Sequence, residues 1–170
     1  MSYEPRLSWS VKGRKDNVSD DDTMLRFGTE LRLLGLDVGD RRIGVAVSDP
    51  TGSITTPIEV YQRREPATDA RHVTELMTEY GATSVVVGLP KNMNGTEGPQ
   101  AEKTRSFAAA LIALGIEVAL WDERLSTVEA ARRMVEQRHK RRGIQQRIDS
   151  EAAALILQSY LDYVRIRGTT

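Results

Sequence analysis

The chain has 170 residues, 24 Lys and Arg balanced by 24 Asp and Glu, and no cysteine. A chain of this length buries about two-thirds of the surface that it exposes when unfolded, which is enough for one sizeable core. The lack of cysteine excludes a disulfide scaffold, a thiolate nucleophile and a Cys-ligated metal site, and the two histidines, His72 and His139, are too few for a histidine cage. Any metal would therefore be held by oxygen.

The first 30 residues differ in character from the rest. They mix Ser, Lys, Arg and three consecutive aspartates at 20–22 without helical or strand periodicity, which is typical of a disordered arm. We therefore expect such an arm over 1–30 and one domain over 31–170. The sequence has no apolar run of about 18 residues and no apolar signal segment near its N-terminus, so we expect a cytoplasmic protein without a membrane partner.

The start of the domain predicts three strands joined by turns. An apolar run over 31–36, turn residues at 39–42 and a β-branched run over 43–47 indicate a hairpin. A third strand is predicted over 54–61, where Pro57 favours an edge strand or a bulge.

Helical and strand patterns alternate in the remainder. Residues 70–80 have helical spacing and end at Gly81, a typical C-cap, and the unalternated apolar run over 84–89 is typical of a strand buried on both faces. Strands separated by helices are parallel, so the fold class is α/β, with a mixed five-stranded sheet flanked by helices. The other predicted elements are a helix over 104–112 closed by Gly115, a strand over 116–121, a helix opened by a capping box at Ser126 and Glu129, and a last helix beginning near Asp149.

Carboxylates follow two of the predicted strands. Asp37 ends the first strand, and Asp122 and Glu123 follow the last one. If these strands are parallel, their carboxyl ends meet at one edge of the sheet, where open α/β folds bind ligands. Simpler alternatives exist: Asp37 is a turn former, and one of the pair stabilises the next helix through its dipole.

Asp149 lies on the apolar face of the last predicted helix. Ala152, Ala153 and Ile156 continue that face at helical spacing. A charge on a buried face costs several kcal/mol unless it is paired or bound to a metal. The alternative is an N-cap aspartate; we favour a metal ligand.

Three carboxylate positions without Cys or His suit Mg²⁺ or Mn²⁺. Two such ions about 3.5–4 Å apart can stabilise the attacking and leaving oxygens of a phosphodiester and activate water. We therefore predict a two-metal site for phosphodiester hydrolysis that uses Asp37, the pair Asp122 and Glu123, and Asp149.

Basic residues supply candidate contacts to nucleic acid. Residues 132–147 carry seven Lys and Arg against a single acid, Glu136, and such charge neutralises backbone phosphates without reading sequence. The alternative for residues 132–147 is a helix face that is exposed to solvent and binds nothing. For the loop after the fourth strand, the alternative is an ordinary turn without a binding role. The candidate contacts are Lys91, Asn92, Arg124, Arg138, Lys140, Arg141 and Arg142.

Several segments together resemble the YqgF family, also called RuvX. They are LDVG at 36–39, RIGVAVSD at 42–49, VGLPKNMNGTE at 87–97, DERLST at 122–127 and IDSEAA at 148–153. The resemblance extends from about residue 33 to residue 163. It implies an RNase H-like fold related to RuvC, with the first three strands antiparallel and the first, fourth and fifth parallel.

The resemblance also implies an activity and a site. The activity is a nuclease that matures the 5′ end of pre-16S ribosomal RNA, with cleavage of four-way DNA junctions as the alternative. In the implied site, Asp37 bridges two metal ions, and Glu123, favoured over Asp122, and Asp149 each complete one of them. The wider resolvase pattern has an acid after the fourth strand, where this chain has VGLP at 87–90, so the acidic pair has to supply it.

Two other function classes stay open at this point. Asp37 and Gly39, followed by Gly44, also resemble the first phosphate loop of actin- and hexokinase-like ATP-handling proteins, although those close two domains over the nucleotide. A catalytically silent RNA-binding module is compatible with every feature except the acids. The sequence leaves open whether the protein is a monomer or a homodimer.

Overall fold

The first three strands form an antiparallel meander, as predicted. In the computed structural model, which describes residues 32–125, 137 and 146–168, they are β1 (Arg32–Val38), β2 (Arg42–Ser48) and β3 (Thr55–Gln62). Pro57 lies on β3, an edge strand, and the β2–β3 register shifts opposite it. Both expectations for Pro57 are confirmed, because proline cannot donate to a strand partner.

Two parallel strands complete the sheet. β4 (Ala82–Leu89) pairs with β1, and β5 (Glu117–Asp122) pairs with β4, which gives the order β3-β2-β1-β4-β5. The crossovers contain α1 (Pro66–Tyr80) and α2 (Pro99–Ala113). The predicted fold class is therefore confirmed.

The long helix α3 (Gln146–Gly168) covers one face of the sheet, and α1 and α2 cover the other. It includes three more residues at its start than the sequence pattern indicates, so Asp149 lies in its first turn and not at its N-cap. The predicted arm over 1–30 and the helix predicted from Ser126 lie outside the described residues.

The sheet separates two apolar layers. On one face, side chains such as Leu34 and Leu36 pack with Phe107 and the apolar side of α1. On the other face, Leu33, Val86 and Trp121 pack with the residues of α3. Because neighbouring residues of a strand point to opposite faces, burial on both faces explains the unalternated apolar runs in the sequence.

No helix in the described part of the chain is long and apolar enough to cross a membrane. The cytoplasmic location stays a prediction.

Candidate active site

Asp37 lies near the carboxyl end of β1 and faces α3. Gly35, two residues earlier on the strand, faces that helix so closely that a Cβ there would lie 2.6 Å from the Cβ of Leu157. Since side chains alternate along a strand, Asp37 points to the same side. Its cross-strand partner on β2 is Gly44.

Gly44 allows the first turn of α3 to contact the sheet. A Cβ at this position would lie 1.9 Å from the backbone oxygen of Asp149 and 2.9 Å from the nitrogen of Ser150. Any larger residue would hold the helix away, which is one reason for a glycine inside a strand. The contact brings Asp149 next to the strand pair that carries Asp37.

Asp37 and Asp149 line one cavity of about 270 Å³. The other residues that line it belong to the turn between β1 and β2 and to the start of β2, namely Gly39, Asp40, Arg41 and Arg42. The structure therefore brings together two acids from the first strand and the last helix of the described chain.

Arg42 forms an ion pair with Asp149 in this cavity. Its Nε lies 2.9 Å from Oδ2 of the carboxylate, and the side chains are 34% and 24% exposed respectively. The cost of placing a charge on the sheet-facing side of α3 is thus reduced by an arginine of β2.

Glu123 lies on the same face of the sheet, over β4. It is buried, and its Oε1 would be 2.6 Å from a Cβ at Gly88, as would Cδ1 of Ile156 on α3. The carboxylate of Glu123 therefore fills the space that a side chain at position 88 would need. This is the strand end at which the sequence lacks the acid of the wider resolvase pattern.

Asp122 points to the other side of the sheet. Trp121 packs against α3 and donates from Nε1 to Oγ of Ser159 over 3.2 Å, so the next residue of the strand faces away from α3. Asp122 is 6% exposed and accepts hydrogen bonds from the backbone N–H and the guanidinium of Arg124. Burial acts to raise the pKa of Asp122, but these hydrogen bonds and the charges of Arg124 and Lys91 outweigh it and lower the pKa.

Hydrogen bonds and ion pairs within the protein stabilise the loop between β4 and α2. Asn92 donates from its backbone to the oxygen of Thr96 and from its amide to Oγ1 of the same residue, both over 2.9 Å. Nζ of Lys91 lies 3.7 Å from Oδ2 of Asp122 and 3.9 Å from Oε1 of Glu97. Lys91, Asn92 and Arg124 thus make contacts within the protein, and their role in nucleic-acid binding stays a prediction.

The turn between β1 and β2, which forms one wall of the cavity, accepts hydrogen bonds from residues outside the cavity. Nη1 of Arg63 donates to the oxygen of Gly39 over 2.9 Å, and its Nε lies 3.4 Å from the fully buried Asp69. Gln100 of α2 donates to the oxygen of Val38 over 2.7 Å. These bonds fix the position of the backbone between Asp37 and β2.

The predicted ligands are therefore only partly assembled. Asp37 and Asp149 share the cavity, Glu123 lies on the same face, and Asp122 is separated from them by the sheet. Within residues 32–125, 137 and 146–168, no group of three His, Asp or Glu side chains is close enough to hold a metal ion as arranged. The donors are oxygens only, which suits a hard divalent cation. The predicted basic contacts Arg138, Lys140, Arg141 and Arg142 lie outside the described residues.

Three residues have positioning roles that the sequence patterns did not assign to them. They are Arg42, which pairs with Asp149, and the close-approach glycines Gly44 and Gly88. A glycine inside an apolar strand signals a close neighbour, so both glycines were identifiable. Arg42 lies two residues before Gly44 on the same strand face, which could also have placed it beside Asp37.

Comparisons with known proteins identify the family. The sequence pattern of the RuvX family, described as Holliday junction resolvase, matches residues 31–163. A protein of Pelotomaculum thermopropionicum is 46% identical over 134 residues, which cover 78% of this chain and 87% of the relative. One of Halothermothrix orenii is 48% identical over 137 residues, covering 78% and 96%. Both carry the name "Putative pre-16S rRNA nuclease".

A solved structure shows the same fold. The structure of T. thermophilus RuvC in complex with Holliday junction substrate matches with a TM-score of 0.52 and 17% identity, over 81% of this chain and 97% of that one. The predicted RNase H-like architecture related to RuvC is thus confirmed. With a family match over most of its length and relatives at this identity, the chain belongs to the RuvX family.

Proposed function

We propose that the protein is a metal-dependent endonuclease that hydrolyses phosphodiester bonds in structured RNA, with the precursor of 16S rRNA as its substrate. The observation that carries the proposal is the shared cavity of Asp37 and Asp149. Acids so far apart in sequence are brought together here on an RNase H-like sheet, in a family whose relatives are named as nucleases.

The three acids on the α3 face would hold Mg²⁺ or Mn²⁺. Asp37 and Asp149 offer carboxylate oxygens in the cavity, and Glu123 offers a third carboxylate over β4. Bound ions would supply charge stabilisation for the phosphodiester oxygens and activation of the attacking water. The protein itself contributes the fixed backbone between Asp37 and Arg42, which keeps its donors in place.

Asp122 has a structural role in this proposal. Its carboxylate holds Arg124, and the guanidinium of Arg124 lies against Gly95, 3.2 Å from where a Cβ would be. The pair joins the loop after β4 to the end of β5. Loss of Asp122 would therefore disturb the loop before it disturbs the metal site.

The RNA substrate is favoured by the names of the relatives, which are close in sequence. Cleavage of four-way DNA junctions is the second candidate, because the family description is Holliday junction resolvase. Both reactions break the same kind of bond, so the same acids would serve either substrate.

The test compares the parent protein with Asp37→Asn on a pre-16S rRNA fragment and on a four-way junction, across a titration of Mg²⁺ and Mn²⁺. We expect the parent to cut the RNA and Asp37→Asn to lose cleavage while its RNA affinity stays within a few-fold. Asp162→Asn, an exposed change on α3, is the matched control and should cut like the parent. Wild-type cleavage by Asp37→Asn would refute the site, and cutting of junctions alone would refute the RNA substrate.

A further inference from the structure

The cavity of the proposed active site already contains a positive charge from the protein. Arg42 lies 2.9 Å from the carboxylate of Asp149, and both line the cavity with Asp37. The described residues contain no cluster of three possible metal ligands as they are arranged. The arginine thus occupies a carboxylate oxygen that the proposed function assigns to a divalent cation.

The backbones that carry the two side chains are fixed against each other. Arg42 is the first residue of β2, it pairs with Gln62 of β3, and its oxygen accepts from Gly39 over 2.8 Å. The start of α3 is in contact with β2 at Gly44. Separation of the ion pair therefore requires rotation of side chains and not movement of the helix.

A divalent cation and the guanidinium compete for the same carboxylate. Both are positive, and in a cavity that is only partly open to water their repulsion is screened less than on the surface. The side chain of Arg42 is longer and more flexible than that of Asp149, so Arg42 is the group that moves. Its planar fork is suited to a phosphate oxygen pair once it has left Asp149.

We propose that Arg42 is the resident counter-ion of Asp149, which the metal displaces and which then binds a phosphate of the substrate. The inference rests on the proposed function, since it assumes that Asp149 is a metal ligand. It gives Arg42 two effects of opposite sign: the arginine weakens metal binding and strengthens substrate binding.

The test measures Mn²⁺ binding by isothermal titration calorimetry in the absence of nucleic acid. We expect Arg42→Gln to bind Mn²⁺ about 5-fold more tightly than the parent, the size of effect typical of a partly exposed ion pair. Arg42→Lys keeps the charge and should remain near the parent. The matched control is Lys103→Gln, which removes the exposed ion pair with Asp40 at the same cavity and should change the affinity less than 2-fold.

Binding of RNA supplies the second measurement. With Mn²⁺ present and binding followed by stopped-flow fluorescence before cleavage occurs, Arg42→Gln should bind RNA about 10-fold more weakly than the parent, as expected for the loss of one charge-assisted phosphate contact. An unchanged or weaker Mn²⁺ affinity in Arg42→Gln overturns the inference, as does unchanged RNA affinity. If Asp37→Asn abolishes Mn²⁺ binding but Arg42→Gln leaves the Mn²⁺ affinity unchanged, only this inference fails. If the parent binds no Mn²⁺, the proposed function fails as well.

Discussion

Gly44→Ala tests whether the first turn of α3 is in contact with the sheet. The new Cβ would lie 1.9 Å from the backbone oxygen of Asp149, whereas ordinary contacts begin at 3.4 Å, so strand and helix must separate by about 1.5 Å. The neighbour is backbone and cannot rotate away. The cost should therefore be near the upper end of overpacking changes, about 3 kcal/mol.

Two readouts follow from that separation. At about 2–4 °C per kcal/mol for a chain of this size, the Tm should fall by about 6–12 °C in thermal unfolding followed by circular dichroism. Nuclease activity, measured well below the Tm, should fall by about 100-fold, because Asp149 moves with the helix and a shift of about 1 Å is enough to disturb positioning.

The control for this change is Gly168→Ala, at the last residue of α3, where a Cβ meets nothing within 4 Å. It should leave the Tm within about 2 °C of the parent, because alanine is at least as good as glycine in a helix. If Gly44→Ala melts and cuts like this control, the close contact that brings Asp149 to Asp37 does not exist.

Three further changes have defined outcomes. Burial raises the pKa of Glu117, so the folded protein binds the proton of this carboxyl more tightly than the unfolded chain and loses stability as pH rises above 4.5. Glu117→Gln should therefore raise the Tm at pH 7 and match the parent below pH 4. A lower Tm of Glu117→Gln at pH 7 would contradict this. The lowered pKa of Asp122 has the reverse sign: its stabilisation exists above its ordinary pKa and disappears as pH falls, so Asp122→Asn should cost about 2 kcal/mol at pH 7, through the lost bonds to Arg124, and flatten the acid limb of the stability profile. Arg141→Ala combined with Arg142→Ala should weaken RNA binding and reduce its salt slope by up to about two; an unchanged slope would exclude these residues from the interface.

The architecture was predictable because local patterns and the fold agree. The unalternated apolar run of β4 and the helical spacing before Gly81 each predict one element type, and Pro57 excludes a central strand for β3. These signals depend on backbone chemistry and burial alone. They are therefore readable without knowing which elements contact each other.

The site was predictable only in part. The sequence places Asp37 and Asp149 at element ends, and the structure brings both to one cavity. The residue pattern alone does not show which of Asp122 and Glu123 faces α3, because that depends on which face of the sheet Trp121 covers. The charge pattern that predicts nucleic-acid contacts for Lys91 and Arg124 does not indicate their ion pairs with Asp122, which only the structure shows. Partners of charged side chains are set by tertiary packing, which no local pattern contains.

The position of α3 has a consequence for synthesis of the protein. Asp37 is on the first strand to be made, but its cavity is completed by a helix that is translated after all five strands. Until that helix emerges from the ribosome, the side chains of Leu33, Val86 and Trp121 are left without their cover. The proposed active site is thus incomplete during most of translation, and in this interval the uncovered apolar face favours aggregation of the nascent chain.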